Sequence, residues 1–115
     1  MWHYQIIKHD LWDWDLPTAP NLVTVTRNGE PVQAVAQLPK HGYVFVLDRK
    51  TGTPLFPVEE RRAPESLIDG ERAAATQRHS LAPPPFTRQQ MTESMVTTRT
   101  PQAHAAVLAQ FRQLT

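Results

Sequence analysis

The chain has no cysteine, only four glycines and no long apolar run, and each shortage closes off a class of protein. Without cysteine there is no disulfide framework, thiolate metal site or cysteine nucleophile, although cytoplasm and periplasm both stay open. No stretch approaches the roughly 18 apolar residues that a membrane-spanning helix needs, and Met1-Trp2-His3-Tyr4 lacks the charged-then-apolar layout of a signal peptide. A formal net charge of +1, with 12 scattered Lys and Arg, offers no field to attract nucleic acid. What the chain does have is 11 prolines, which favour turns and extended segments, and 115 residues, enough for one modest core. An opening that carries Trp2, Tyr4, Trp12 and Trp14 reads as a cut into an already ordered region.

From Leu22 to Val58, short β-type runs alternate with turn signals, the pattern of an antiparallel meander. Leu22 to Thr26 alternates apolar with polar and meets Arg27-Asn28-Gly29-Glu30, whose Asn-Gly pair accepts the positive φ angles of a two-residue hairpin. Val32 to Leu38 runs into Pro39-Lys40-His41-Gly42, and Tyr43 to Leu47 is continuously apolar, as a strand buried on both faces should be. Asp48-Arg49-Lys50-Thr51-Gly52 is the next turn. Leu55 to Val58 then reads as a fourth strand at an edge, because proline cannot donate to a sheet ladder.

Ahead of the meander, Trp2 to Lys8 reads as a further strand, with Trp2, Tyr4 and Ile6 on one side and His3, Gln5 and Ile7 on the other. Behind it, residues 59–85 are polar and proline-rich, ending in the extended Pro83-Pro84-Pro85. Thr100 as N-cap and Pro101 at the first helical position open a helix with Ala103, Val107, Phe111 and Leu114 on one face, and residues 89–96 add at most a helical turn.

Two stretches could carry chemistry. In His9-Asp10-Leu11-Trp12-Asp13-Trp14-Asp15, three carboxylates alternate with large rings, and desolvation beside a ring raises a carboxylate toward the range of a general base. The same residues are equally what a turn with capping aspartates and core tryptophans requires. His3, His9, Asp10 and Asp13 are ligand types, but their spacing fits no compact zinc pattern. No G-x-S-x-G elbow supports a serine hydrolase. Lys40 sits at a strand-to-strand turn, where a lysine is commonly just solvated.

Taken together, Trp2-His3-Tyr4-Gln5, His9-Asp10-Leu11-Trp12-Asp13, Asp15-Leu16-Pro17, Lys40-x-Gly42, Phe45-Val46-Leu47-Asp48-Arg49 and Thr51-Gly52 resemble successive signatures of the membrane-bound quinoprotein glucose dehydrogenases, in order and in spacing. Pro57-Val58-Glu59-Glu60-Arg61, Thr76-Gln77 and the triple proline continue the likeness, and Arg99-Thr100-Pro101 with Phe111-Arg112-Gln113-Leu114 resembles related members.

The resemblance implies a mainly β fold: one four-stranded antiparallel blade, a flanking strand and a C-terminal helix, within an eight-bladed β-propeller. Residues 1–20 would be the flanking strand and catalytic loop, 21–58 the blade, 59–99 the proline-rich connection and 100–115 the helix. It implies oxidation of a sugar, polyol or alcohol hydroxyl with pyrroloquinoline quinone. Asp13 would accept the hydroxyl proton while hydride moves to the quinone, and Lys40 and His9 would contact the cofactor. Where many members have two adjacent histidines, this chain has Lys8-His9.

The resemblance also implies a divalent cation, calcium or magnesium, whose ligands lie outside this segment. A periplasmic, membrane-associated parent protein would deliver electrons to the respiratory quinone, with no nucleic-acid partner. The segment by itself should then be inactive. The competing expectation is a catalytically silent β-rich fragment that self-associates through exposed blade edges.

Overall fold

The computed structural model describes residues 1–114. Thr115, part of the helical segment expected at 100–115, lies outside the described residues. Strands β1 (Asn21–Arg27), β2 (Glu30–Gln37) and β3 (Phe45–Asp48) form an antiparallel sheet in chain order. Strands β4 (Val58–Arg62) and β5 (Thr76–Ser80) form a second antiparallel sheet. A 3-10 turn at Glu93–Met95 precedes helix α1 (Pro101–Leu114). No helix among the described residues is long and apolar enough to cross a membrane.

The β1–β2 hairpin closes at Arg27 opposite Glu30, and Asn28 and Gly29 take φ of 53° and 81°, the mirror-image turn that matches strand twist. β2 then pairs with β3, whose Phe45, Val46 and Leu47 are all buried, as a continuous apolar run should be.

The expected fourth strand at Leu55–Val58 is not formed. Pro54 makes one isolated bridge to Leu47, the Leu55 amide donates to the Val46 carbonyl at 2.8 Å, and the ladder goes no further. Pro54 and Pro57 bracket this stretch, and each removes an N–H that a fourth strand would need. The sheet therefore has three strands and a bridge in place of four strands.

Val58 instead opens β4, which pairs with β5 out of what reads as a connecting segment. Neither strand has apolar alternation. Their partners across the ladder are Glu59 with His79, Glu60 with Arg78 and Arg61 with Gln77, so one charge pair and two polar pairs take the place of apolar pairs.

The strand expected at Trp2–Lys8 is likewise absent, although its alternation survives: Tyr4 is half-buried and Ile6 buried, while His3 and Gln5 face solvent. Side chains replace the missing ladder. The Gln77 amide oxygen accepts from the Lys8 N–H at 2.9 Å, the Gln77 amide nitrogen donates to the Lys8 carbonyl, and the Arg78 guanidinium donates to the Gln5 carbonyl. Ile6, Tyr43 and Phe45 form the core cluster, with Tyr4, Ile7 and Val58 packed against it. Trp2 lies over Gly52 and donates from its indole N–H to the Arg49 carbonyl at 3.0 Å, closing the Asp48–Gly52 corner.

Helix α1 is capped as its sequence demands, the Thr100 hydroxyl accepting from the Ala103 N–H at 3.0 Å. Ala103, Val107 and Phe111 are half-buried together with His104 and Leu108, whereas Leu114, expected on that face, is exposed. The helix is tied to the preceding loop by Arg112, which forks onto Glu93 at 2.7 and 2.8 Å. The radius of gyration is 18.3 Å, against about 13 Å for a compact domain of this length, so much of the chain's surface is not folded back on itself.

Candidate functional site

The loop from His9 to Asp15 has no regular secondary structure, and its shape is set by two left-handed residues, His9 at φ 42° and Asp13 at φ 59°. Each costs roughly 1–2 kcal/mol relative to right-handed backbone, so the surrounding contacts must hold it there. One local contact is the Asp10 carboxylate, which accepts from the Trp12 N–H at 3.1 Å and pins a turn.

At the other side, Lys40 lies in the turn between β2 and β3. The Gly42 N–H donates to the Pro39 carbonyl at 3.0 Å, with Gly42 at φ 86°. A Cβ at Gly42 would collide with Thr87, so the approach of the 86–89 segment also needs glycine here. Phe86 N–H donates to the Gly42 carbonyl and the Gln89 amide to the His41 carbonyl, strapping that segment across the turn.

The two stretches meet. Lys40 Nζ lies 2.8 Å from Asp13 Oδ1 and 2.7 Å from Asp15 Oδ1, and the Lys40 N–H donates to the Asp15 carbonyl at 3.1 Å. Asp13 and Lys40 are 27 positions apart in sequence. Lys40, with a lesser push from Asp15, holds the Asp13 carboxyl below the usual range, and the two carboxylates hold the Lys40 ammonium above its own. Asp13 is therefore ionised at neutral pH and Lys40 protonated. The Asp13 side chain is 81% exposed and that of Lys40 40%, so the pair is open to an incoming molecule.

Behind the pair stands a pile of rings. Trp12 stacks on Trp14 at 4.8 Å, Trp14 meets His41 at 5.5 Å, and His41 contacts Tyr43, Phe45 and His79 at 4.9, 6.0 and 6.2 Å. Burial among these rings, aided by His79, drives the His41 pKa down to about 4, so the imidazole is neutral. Its Nε2 is buried with no hydrogen-bond partner among the described residues. His9 is exposed at the start of the loop, and among the described residues no hydrogen bond or ion pair joins its side chain to Asp13 or Lys40. Among the described residues no group of three or more potential metal ligands gathers.

Asp15 belongs to the His9–Asp15 cluster without a role of its own there, and His41 carries no site role in the sequence. Asp15 reads as one more turn carboxylate, and the only clue to His41 is that it follows Lys40 between a proline and a glycine.

Antiparallel β-structure with a carboxylate–ammonium pair at a strand turn defines a mainly β protein with a candidate acid–base site. The whole chain, residues 1–115, matches the family described as "PQQ: Glucose/ethanol/alcohol dehydrogenase, beta-propeller domain", and it belongs to that family. It is 41% identical to the quinoprotein glucose dehydrogenase of Escherichia coli over 76 residues, 66% of this chain and 10% of that protein. The corresponding protein of Gluconobacter oxydans is 43% identical over 77 residues, again 66% of this chain and 10% of that one. The quinate/shikimate dehydrogenase (quinone) of Acinetobacter baylyi is 39% identical over 101 residues, covering 87% of this chain and 12% of that protein. The chain thus spans about a tenth of the length of these relatives. No solved structure matches it.

Proposed function

We propose that this chain supplies the proton-accepting carboxylate, Asp13, and a quinone-contacting ammonium, Lys40, to a pyrroloquinoline-quinone-dependent dehydrogenase that oxidises a hydroxyl of a sugar, polyol or alcohol. The observation that carries the reading is the contact at 2.8 Å between Asp13 and Lys40 across the fold. Relatives named for glucose, glycerol and quinate support the breadth of the substrate class.

The residues present fit such a cofactor. An ammonium has three N–H donors, and Asp13 and Asp15 take two of those on Lys40, which leaves one for an oxygen of a bound quinone. The stacked Trp12 and Trp14 offer flat apolar surface nearby. His9, exposed at the loop's start, is a further polar contact in this reading. When bound, pyrroloquinoline quinone supplies the hydride-accepting carbonyl.

Asp13 takes the hydroxyl proton. In the structure described, its pairing with Lys40 makes it a weak base. A molecule that fills the site displaces water from the exposed carboxylate, and that loss of solvation raises its basicity when the site is loaded. Lys40 in turn holds positive charge where negative charge develops during reduction. A complete eight-bladed propeller, a divalent cation held by residues outside this chain, a periplasmic setting and delivery of electrons to the respiratory quinone all belong to the same reading.

The test is made in the full-length protein. Asp13→Asn keeps quinone binding, followed by cofactor absorbance, and cuts turnover roughly 100-fold or more. Lys40→Ala weakens both binding and turnover, because its charge acts on the bound quinone as well as on its reduction. Near-normal turnover in Asp13→Asn removes the aspartate from the mechanism.

A further inference from the structure

We infer that Gln77 is a positioning residue for Asp13: its buried side-chain amide registers the backbone of the loop that carries the carboxylate. The inference rests on the reading of Asp13 as the base.

The loop is slung between two anchors. At its far end, Asp15 is held by Lys40 through both backbone and side chain. At its near end, the residue before the loop is Lys8, and both polar groups of its backbone are bound by one side chain. Gln77 accepts from the Lys8 N–H and donates to the Lys8 carbonyl, so the amide imitates a neighbouring strand where no strand exists. The next residue, His9, enters the left-handed region, and the chain turns toward Asp13.

Gln77 is suited to this task because it cannot itself shift. It is 1% exposed, and its backbone is paired with Arg61 across the β4–β5 ladder. A buried amide left without partners is costly, so both halves of the group are committed to Lys8. A second tie runs parallel to it: the Lys8 ammonium lies 2.6 Å from Glu60, which also binds Arg78 at 3.2 Å. That tie is solvent-exposed and fixes the side chain, whereas Gln77 alone among these contacts fixes the peptide groups. Between the two anchors the Asp10 turn and the Trp12–Trp14 stack keep the loop's shape, so a shift at Lys8 is carried along it to Asp13.

Three measurements on the full-length protein test this. Gln77→Met, similar in size and without hydrogen bonds, should lower kcat on the order of 10- to 100-fold with KM changed by less than about twofold, the pattern of a misplaced reacting group. Amide hydrogen exchange should quicken from His9 to Trp14 while β2 stays protected. Gln77→Glu supplies a pH-dependent readout, taken where circular dichroism shows the variant and the parent both fully folded, so that loss of folded protein does not contribute. Ionised, it loses the donor to the Lys8 carbonyl; as the neutral acid, favoured by burial, it regains one. Its kcat relative to the parent should therefore recover as pH falls.

A parent-like kcat in Gln77→Met, unchanged exchange in the loop, or a flat pH ratio for Gln77→Glu overturns the positioning role. The two ideas fail separately. If Asp13→Asn turns over normally, the base assignment falls while the exchange data still report whether Gln77 holds the loop.

Discussion

The β1–β2–β3 sheet buries Phe45, Val46 and Leu47 in succession, whereas the β4–β5 sheet buries Gln77 and Ser80 and faces its neighbours with Glu60 and Arg78. One sheet is held by area removed from water, the other by charge pairs and satisfied amides. The candidate site lies where they are joined: Lys40 comes from a turn of the apolar sheet, and the loop bearing Asp13 is tied at its start to the polar one. Such a division lets the apolar sheet fix the scaffold while the polar sheet fixes direction, since hydrogen bonds specify geometry and burial does not.

If the apolar sheet is the scaffold, the largest stability effect must come from it. Phe45→Ala removes a ring that is 1% exposed and in contact with Tyr4 and His41, and should cost about 3–5 kcal/mol in thermal or denaturant unfolding. A loss below that of substitutions in β4 or β5 would reverse the comparison.

The same division decides what could be read from the sequence. The apolar run through Leu47 is a signal of burial and the Asn28-Gly29 pair a signal of turn geometry, and both elements appear where expected, while β1 only half-buries Val23 and Val25. β4 and β5 leave no such signal, because Val58-Glu59-Glu60-Arg61-Arg62 and Thr76-Gln77-Arg78-His79-Ser80 are solvated in isolation. Only the opposition of Glu60 to Arg78 marks them, and it becomes visible once the register is known. The Trp2–Lys8 segment misleads in the opposite sense, having the alternation of a strand while its partners are side chains from β5. At the site, the residues alone leave Asp13 and Lys40 open between chemistry and a solvated turn, and only the family resemblance singles them out. The participation of Asp15 and the ring pile around His41 depend on contacts between distant turns, which no local pattern records.

Acid should act on the two sheets through different principal groups. His41, beside the apolar sheet, has its folded pKa lowered from 6.5 to about 4 by burial, so the unfolded chain takes up the proton first. Its contribution is present at neutral pH and is lost as pH falls from about 6.5 toward 4. Glu60, on the polar sheet, has its pKa lowered from 4.5 to about 2 by Lys8, with help from Thr76 and Arg78. Its contribution is present above about 4.5 and is lost as pH falls toward 2. Thermal midpoints against pH should thus show two acid limbs. His41→Phe shrinks the upper one, to which the half-buried His79 of β5 also contributes, and Glu60→Gln shrinks the lower one, which it shares with Asp13, Asp48, Glu59 and Glu93; limbs unchanged by both substitutions would refute these assignments. The Glu60→Gln effect should also shrink at high salt, because its partners are solvent-exposed.

The smallest effect belongs to the outer strand of the apolar sheet. Leu22 on β1 is 66% exposed and lies opposite Val35 of β2, so it has little area left to lose. In the 115-residue chain by itself, Leu22→Thr should change stability by no more than about 0.5 kcal/mol, since threonine suits a strand and the contact given up is slight. In the full-length protein the same substitution should cost about 1–2 kcal/mol, because neighbouring blades of a propeller cover one another's faces and a covered leucine gains the transfer free energy that an exposed one lacks. Measuring both asks whether the apolar sheet is finished within this chain or completed by its surroundings. Equal, near-zero effects in the two contexts would mean that the β1 face stays in water, and the blade would have to pack through its β3 side alone.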